Sequence, residues 1–241
     1  MPVYRIPKAL LFPDPADAEA SGLLGVGGDL APERMLLAYS SGIFPWFNED
    51  NPILWWSPDP RMVLLTDELH VPRSLAKIVR RNAYEIRMDT AFTDVVRHCG
   101  ETKRPQQDST WITEGMAGAY QRLFELGFAH SVEAWQDGAL VGGLYGVAVG
   151  RFFSGESMFA HQPDASKVAF VHLATQLKRW GFPLVDCQIH TAHLDRFGAR
   201  EIPRADYLER LGPLVTAASR PGPWTFDANL RDGVRVCPPG S

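Results

Sequence analysis

The chain has 241 residues, of which 45% are hydrophobic and 22% charged, values typical of a globular protein with one or two domains. Its three scattered cysteines argue against a disulfide framework. It also lacks a signal-peptide pattern and any run of eighteen apolar residues, so we expect a cytoplasmic protein without a membrane span. The net charge of −4 hides a basic middle, because residues 70–107 hold eight Lys or Arg against four Asp or Glu.

The segment up to about residue 60 is rich in Gly, Pro and Trp. Pro32 suits the first position of a helix, which we expect to end at Gly42. An aromatic cluster interleaved with prolines follows this helix: Phe44, Trp46, Phe47, Trp55 and Trp56. Because the segment is too short and too rich in loops to fold alone, residues 1–60 are predicted to form a small domain packed on residues 61–241.

The second region alternates between strand and helix periodicities. Strands are predicted at 62–65, 84–88, 131–135, 140–149, 152–159 and 184–189, and helices at 72–81, 92–99, 116–124 and 165–180. The Asp137-Gly138 pair between two of these strands is a strong hairpin signal. Antiparallel strands followed by a helix and a further strand indicate an α+β domain with a mixed sheet flanked by helices.

The predicted helix at 72–81 carries four cations on one face, because they fall at i, i+4, i+7 and i+8: Arg73, Lys77, Arg80 and Arg81. Such a row can follow a phosphate backbone and position a nucleic acid without reading its bases. A solvated amphipathic face is the alternative, although the mild repulsion between like charges one turn apart favours a partner. Lys103 and Arg104 are candidates to extend this patch.

Polar residues interrupt two of the apolar strands. Alternation in the strand at 184–189 puts Asp186 and Gln188 on one face and Cys187 on the other. A carboxylate and an amide on such a strand need hydrogen-bond partners, so they belong either to a structural network or to a site. Glu156 adds a carboxylate in another apolar strand, and two carboxylates in one sheet favour a site.

Metal and nucleotide chemistry have little support. His190 and His193 have a spacing that metal pairs use, but no third ligand type clusters near them. There is no Walker loop, and no Ser/His/Asp or Cys/His arrangement stands out. The residues therefore predict neither a metal site nor a cofactor.

Eight motifs, taken in order, resemble those of the leucyl/phenylalanyl-tRNA–protein transferase family. They lie at residues 42–47, 52–61, 110–113, 127–135, 141–147, 155–159, 165–167 and 186–188. The likeness runs from Gly22 to about Tyr207, and so many ordered motifs make a chance match implausible.

The resemblance implies a small N-terminal domain on a larger domain with the fold of the GCN5-related acyltransferases. It implies an enzyme that moves leucine or phenylalanine, and less readily methionine, from aminoacyl-tRNA to proteins that begin with Arg or Lys, which marks them for degradation. The aminoacylated tRNA end is itself the donor, so neither coenzyme A nor another cofactor is implied. A monomer is expected.

The resemblance also implies site residues. An apolar pocket for the donor side chain matches Trp46, Trp111, Leu144 and Phe153, with Glu156 at its polar edge. Alternation puts Phe153 and Glu156 on opposite faces of a strand, so both can line one cavity only if a β-bulge lies near residue 155. Leu144 stands where family members often have methionine, a change that nearly conserves volume.

Asp186 and Gln188 match the residues usually credited with catalysis in the family. The attacking α-amino group has a pKa of about 7.7–8.0, so much of it must lose a proton near neutrality. A carboxylate that accepts this proton, directly or through Gln188, is a credible general base.

Three alternatives stay open. A conventional N-acetyltransferase of the same fold would need a glycine-rich pyrophosphate loop, which residues 158–166 lack. A non-catalytic module that binds tRNA or protein N-termini would not need Asp186 and Gln188 together. A related tRNA-dependent transferase acting on acidic N-termini is the nearest alternative, because the sequence does not reveal the acceptor pocket.

Overall fold

The computed structural model describes residues 3–102 and 111–228. Its N-terminal part holds a four-stranded sheet in the order β1-β2-β4-β3, which the sequence does not predict. The strands are two to five residues long, too short to show a periodicity. They are Tyr4–Ile6 (β1), Leu23–Gly27 (β2), Phe44–Pro45 (β3) and Leu54–Trp56 (β4).

A larger mixed sheet follows, in the order β11-β5-β10-β9-β8-β7-β6. Its strands are Arg61–Leu65 (β5), Glu85–Met88 (β6), Ala129–Gln136 (β7), Ala139–Val149 (β8), Phe152–Ala160 (β9), Leu184–Gln188 (β10) and Arg200–Ile202 (β11). Only the β9–β10 pair is parallel among the pairings of the described strands in this sheet. The predicted α+β class with a mixed sheet is therefore confirmed.

Helices cover both faces of the large sheet. They are Pro32–Ser40 (α1), Arg73–Arg80 (α2), Phe92–Glu101 (α3), Glu114–Glu125 (α4), Ala165–Arg179 (α5), Ala192–Asp195 (α6) and Arg204–Val215 (α7), with 3-10 turns at Pro15–Asp17 and Thr66–Glu68. Helices α2 and α5 share a buried core with Leu144 and Phe153. Helices α1, α3 and α4 pack on Tyr145 and Val147, from the opposite face of β8.

Two features predicted from the sequence are confirmed in detail. Helices α1 to α5 and strands β5 to β10 lie within a few residues of their predicted bounds. Asp137 and Gly138 join β7 to β8 with φ values of 51° and 78°. Two successive positive φ values give the tight turn whose twist matches an antiparallel hairpin.

The parallel strands β9 and β10 create an opening in the sheet. Helix α5 connects them, and their pairing runs only from Phe152 opposite Leu184 to Ser154 opposite Asp186. Strand β9 nevertheless continues to Ala160, so the two strands separate beyond Ser154. Ligands of α/β folds bind outside the carboxyl ends of such strands, and the candidate site lies here.

The N-terminal part and the rest of the chain share buried contacts. The hydroxyl oxygens of Tyr39 on α1 and Tyr120 on α4 lie 3.1 Å apart in the interior. Arg61, at the start of β5, donates from Nη1 to the carbonyl oxygen of Gly42 at 3.0 Å. The division of the chain at residue 60 stays a prediction. None of the helices in the described ranges is both long enough and apolar enough to cross a membrane.

Candidate active site

A cavity of about 600 Å³ opens where β9 and β10 separate. All seven residues that the family resemblance assigned to catalysis or donor binding line this cavity: Trp46, Trp111, Leu144, Phe153, Glu156, Asp186 and Gln188. They come from the large sheet, from the residue that follows β3 and from the segment before α4. The structure thus brings these residues together, while their roles stay predictions.

Most of the cavity wall is apolar. Besides the predicted aromatic residues and Leu144, aliphatic and aromatic side chains of β9, α5 and β10 contribute to it: Met158, Phe170, Leu173 and Val185. These four residues lie in predicted strands and a predicted helix. The sequence pattern of a buried apolar residue is the same in a core as in a pocket wall, so it did not indicate that they line a cavity. The resulting cavity suits an uncharged, branched or aromatic side chain.

The β-bulge predicted near residue 155 is present. Gly155 pairs with Gly146 and Ser157 pairs with Tyr145, so Glu156 has no partner opposite it. A Cβ at Gly146 would overlap the Ser154 carbonyl oxygen and the Phe153 ring, so only glycine allows β8 to approach β9 this closely. The bulge interrupts the alternation, and both Phe153 and Glu156 line the cavity.

Asp186 is fully buried and accepts four hydrogen bonds. Arg61 donates to both carboxylate oxygens, from Nε at 2.8 Å and from Nη2 at 2.6 Å. The Tyr207 hydroxyl donates to Oδ2 at 3.1 Å, and the Gln188 backbone nitrogen donates to Oδ1 at 2.9 Å. Because a carboxylate offers about four acceptor positions, these donors occupy the acceptor capacity of Asp186.

Arg61 is the buried cation of the site, and the sequence analysis missed it. Its guanidinium lies between the rings of Phe44 and Tyr207, with Cζ 4.8 Å and 4.6 Å from the two ring centroids. Burial alone would lower the pKa of Arg61, but the Asp186 carboxylate and the Tyr207 hydroxyl raise it overall. The sequence offered one signal for this role, an arginine at the start of an apolar strand. It could not reveal the partner of this arginine, because Asp186 is 125 residues away in the chain.

Gln188 departs from regular strand geometry. Its φ of 62° is in the left-handed region, and the register with β5 shifts between Asp186 and Gln188. Its side-chain Nε2 donates to Glu156 Oε1 at 3.0 Å. Cys187, expected on the opposite face, also lines the cavity. Cys187 nevertheless packs in the same core as Val185, which agrees with the predicted alternation; the cavity is lined from both faces of β10.

Cys187 is not a candidate nucleophile. Burial, and then the nearby Asp186 charge, raise the pKa of its thiol well above the ordinary value. The thiol is therefore neutral at physiological pH, whereas only the thiolate is strongly nucleophilic.

Glu156 accepts hydrogen bonds from neutral groups. The Tyr120 hydroxyl donates to Oε2 at 2.6 Å, and Ser154 Oγ donates to Oε1 at 3.2 Å, beside the bond from Gln188. Burial raises the pKa of Glu156 to about 7; hydrogen bonds from Tyr120, Tyr39 and Ser154 oppose the shift, and the charge of Asp186 adds to it. This carboxyl therefore titrates near neutrality.

The tyrosines around Glu156 are neutral donors. Burial, followed by the Glu156 charge, raises the pKa of both Tyr39 and Tyr120 well above the ordinary value. Their hydroxyls keep their protons and direct them towards the carboxylate. Both residues lie in predicted helices, but nothing in helix periodicity distinguishes a core tyrosine from one that bonds a site carboxylate.

The cations predicted to bind tRNA lie together on the outer face of α2. Arg73, Lys77, Arg80 and Arg81 are exposed, while Leu75, Ala76 and Val79 are buried. Among the described residues, none of the four cations forms a salt bridge. Helix α2 packs on α5, which lines the cavity. Lys103 and Arg104 lie outside the described residues.

The two histidines near β10 separate in the structure. His190 Nε2 lies 2.9 Å from Asp195 Oδ2 at the surface, whereas His193 lines the cavity. Burial, with nearby Lys167 and Arg196, lowers the pKa of His193. Within residues 3–102 and 111–228, no group of three His, Cys, Asp or Glu side chains could hold a metal ion.

Family models match most of the chain. Residues 63–212 match the leucyl/phenylalanyl-tRNA protein transferase model, and residues 28–59 match the model of that family's N-terminal domain. Among solved structures, L-PGS from Bacillus licheniformis has a TM-score of 0.38 and 12% identity, covering 70% of this chain and 53% of that chain. So weak a likeness carries no argument, and the GCN5-related fold stays a prediction.

Relatives match over nearly their whole length. A leucyl/phenylalanyl-tRNA–protein transferase from Anaeromyxobacter sp. (strain Fw109-5) is 58% identical over 96% of this chain and 98% of its own. One from Thiobacillus denitrificans is 58% identical over 92% of this chain and 97% of its own, and one from Nitratidesulfovibrio vulgaris is 57% identical over 93% and 96%. The chain therefore belongs to the leucyl/phenylalanyl-tRNA–protein transferase family and is an aminoacyltransferase.

Proposed function

We propose that this enzyme moves leucine or phenylalanine, and less readily methionine, from aminoacyl-tRNA to proteins that begin with Arg or Lys. It acts as a monomer in the cytoplasm, and the modified proteins are marked for degradation. The observation that carries the proposal is one cavity in which an apolar wall meets the polar ends of β9 and β10.

The apolar wall receives the donor side chain. Trp46, Trp111, Leu144 and Phe153 offer large hydrophobic surfaces without a polar group aimed at a particular substrate atom. Such a pocket discriminates weakly, because one methylene is worth about 1–3 kcal/mol. Leucine, phenylalanine and methionine therefore share it, whereas branching at the β carbon is excluded by shape.

The polar end of the cavity holds the reacting groups. The donor ester is already activated, so the reaction requires positioning of two substrates and removal of a proton from the amine. Gln188 faces the cavity, and Asp186 acts through it, because Asp186 fixes the Gln188 backbone by a hydrogen bond of 2.9 Å. Asp186 is thus a positioning residue, and Gln188 contacts the substrates.

Charge in the cavity favours a basic acceptor. Arg61 neutralises Asp186, while Glu156 forms no salt bridge within the part of the chain that the structure describes. The net charge presented to an acceptor is therefore negative or zero. Proteins that begin with Arg or Lys suit this charge, and acidic N-termini do not.

The outer face of α2 holds the tRNA backbone. Within the described residues its cations form no salt bridge, so binding phosphates breaks none. Release of counterions from the tRNA drives such binding and makes it salt-dependent. Because α2 packs on α5, a tRNA bound there lies beside the helix that lines the cavity.

Mass spectrometry of model peptides tests the reaction. Peptides that begin with Arg, Lys, Asp or Glu are incubated with tRNA charged with Leu, Phe, Met, Val or Ile. We expect mass increases for Arg and Lys peptides with Leu and Phe, smaller yields with Met, and none with Val or Ile. Transfer to the Asp and Glu peptides would instead support the acidic-terminus alternative. No transfer from any tRNA would support a binding module.

Charge reversal tests the tRNA face. Lys77→Glu with Arg80→Glu should weaken tRNA binding strongly at low salt and less at high salt, and should spare transfer from leucyl-adenosine. Arg5→Glu with Lys8→Glu is the control with the same charge change, because both side chains are exposed in the segment before β2. Equal losses with tRNA and with leucyl-adenosine would show that α2 supports the fold instead.

A further inference from the structure

We propose that Glu156, and not Asp186, accepts the proton that the attacking amine loses. The inference rests on the proposed function and assigns one of its steps. Asp186 is bound to Arg61 through both oxygens and accepts two further hydrogen bonds. A proton could reach Asp186 only if a buried guanidinium lost its partner, which is costly.

Glu156 has the position that a proton acceptor needs. It is the unpaired residue of the β9 bulge and lines the cavity. Its donors are the Tyr120 and Ser154 hydroxyls and the Gln188 amide. Hydroxyl groups can rotate and accept a hydrogen bond in place of donating one, so Glu156 can take up a proton without losing a cation.

Gln188 links the two carboxylates. Its backbone nitrogen donates to Asp186 and its side-chain Nε2 donates to Glu156. Because an ionised carboxylate only accepts hydrogen bonds, the NH₂ end of the amide must face Glu156 in that state. Arg61 and Asp186 therefore set the Gln188 backbone, and Gln188 sets the orientation of the Glu156 carboxylate.

The groups that face Glu156 keep it titratable. Tyr39 comes from α1, Tyr120 from α4, and Asp186 and Arg61 from the adjoining strands β10 and β5. The Asp186 charge adds to the rise of the Glu156 pKa, and the tyrosines are neutral. Burial holds the pKa of Glu156 at about 7, close to the value at which a general base works best near neutrality.

Transfer begins with proton uptake by Glu156. The acceptor ammonium gives one proton to Glu156, and the freed lone pair forms the C–N bond with the ester carbonyl carbon while the carbonyl π pair moves to oxygen. When the carbonyl re-forms, the ester C–O bond breaks and its electron pair leaves on the ribose oxygen. That oxygen takes the second proton of the amine nitrogen. Glu156 then releases its proton to water.

A competing role for Glu156 is binding of the donor's own α-ammonium group. Leucyl-adenosine and its α-hydroxy counterpart, 2-hydroxyisocaproyl-adenosine, separate the roles because the second donor has no ammonium. Single-turnover transfer to an Arg peptide is measured for wild type and Glu156→Gln. We expect Glu156→Gln to slow both donors by about 10²–10⁴-fold. A loss confined to leucyl-adenosine would overturn the proposal.

The pH dependence of single-turnover transfer provides a second test. With saturating Arg peptide, the wild-type rate should rise with a midpoint near pH 7, where Glu156 ionises. In Glu156→Gln the midpoint should move to about 7.7–8.0, the pKa of the acceptor amine, and Glu156→Asp should partly restore the rate. A midpoint that stays near 7 in folded Glu156→Gln would remove Glu156 from the step. A wild-type protein that transfers to no peptide would refute the proposed function itself.

Discussion

Asp186 and Glu156 line the same cavity, but their surroundings differ. Asp186 is fully buried against a guanidinium, whereas Glu156 is half-buried and bonded to hydroxyls and an amide. A cationic partner stabilises a buried carboxylate as an anion, while neutral donors only partly offset the cost of burial. The first carboxylate is therefore part of the framework, and the second can change its protonation during a reaction.

The largest expected effect comes from breaking the ion pair. Asp186→Asn leaves Arg61 buried without a counter-charge, so the free energy of unfolding should fall by about 3–5 kcal/mol. Urea unfolding followed by circular dichroism measures the loss. The double substitution Arg61→Met with Asp186→Leu should recover most of it. If Asp186→Asn were as stable as wild type, the ion pair would not hold the framework.

An intermediate effect is expected at the other carboxylate. Folding raises the Glu156 pKa from an ordinary 4.5 to about 7, so the folded state binds more protons between these values. Its stability then falls as the pH rises through this range. The free energy of unfolding of Glu156→Gln should therefore exceed that of wild type by about 1–3 kcal/mol at pH 8, and by a smaller amount at pH 5. Guanidinium unfolding at both pH values measures the two free energies. An equal difference between variant and wild type at pH 5 and pH 8 would contradict the raised pKa of Glu156.

The smallest effect is expected when one hydrogen-bond donor to Glu156 is removed. The Tyr120 hydroxyl lowers the Glu156 pKa, so Tyr120→Phe should raise the midpoint of the pH–rate profile by less than about one unit. Tyr39, 3.1 Å from Tyr120, partly compensates. Tyr84→Phe, which removes a hydroxyl bond to the Pro163 carbonyl oxygen, is the control and should leave the midpoint unchanged. A lowered midpoint in Tyr120→Phe would mean that the hydroxyl does not stabilise the anion.

Much of the large sheet could be predicted because its elements are long and periodic. Strand β8 and helix α5 have eleven and fifteen residues, enough to show their periods. The bulge at Glu156 could also be predicted, from the conflict between alternation and a shared cavity. The residues that line the cavity could be predicted only from the family resemblance, since no periodicity distinguishes Trp111 or Phe153 from core residues.

Other features depend on contacts between distant parts of the chain. The four N-terminal strands become strands only by pairing with one another, and β3 consists of Phe44 and Pro45 alone. Arg61, Asp186 and Tyr207 meet across 125 and 21 residues, a separation over which local patterns carry no information. The irregular strand geometry at Gln188 arises from its left-handed backbone, which non-glycine residues seldom adopt.

Gly42 connects the N-terminal segment to Arg61 and Tyr207. Its φ is +75°, and a Cβ there would lie 2.6 Å from Leu208 and 2.9 Å from Tyr207. Its carbonyl oxygen accepts from Arg61. The residues that contact this guanidinium thus come from both sides of the predicted boundary at residue 60. Fragments 1–60 and 61–241 would each lack part of this set of contacts, so we expect neither fragment to transfer an amino acid alone.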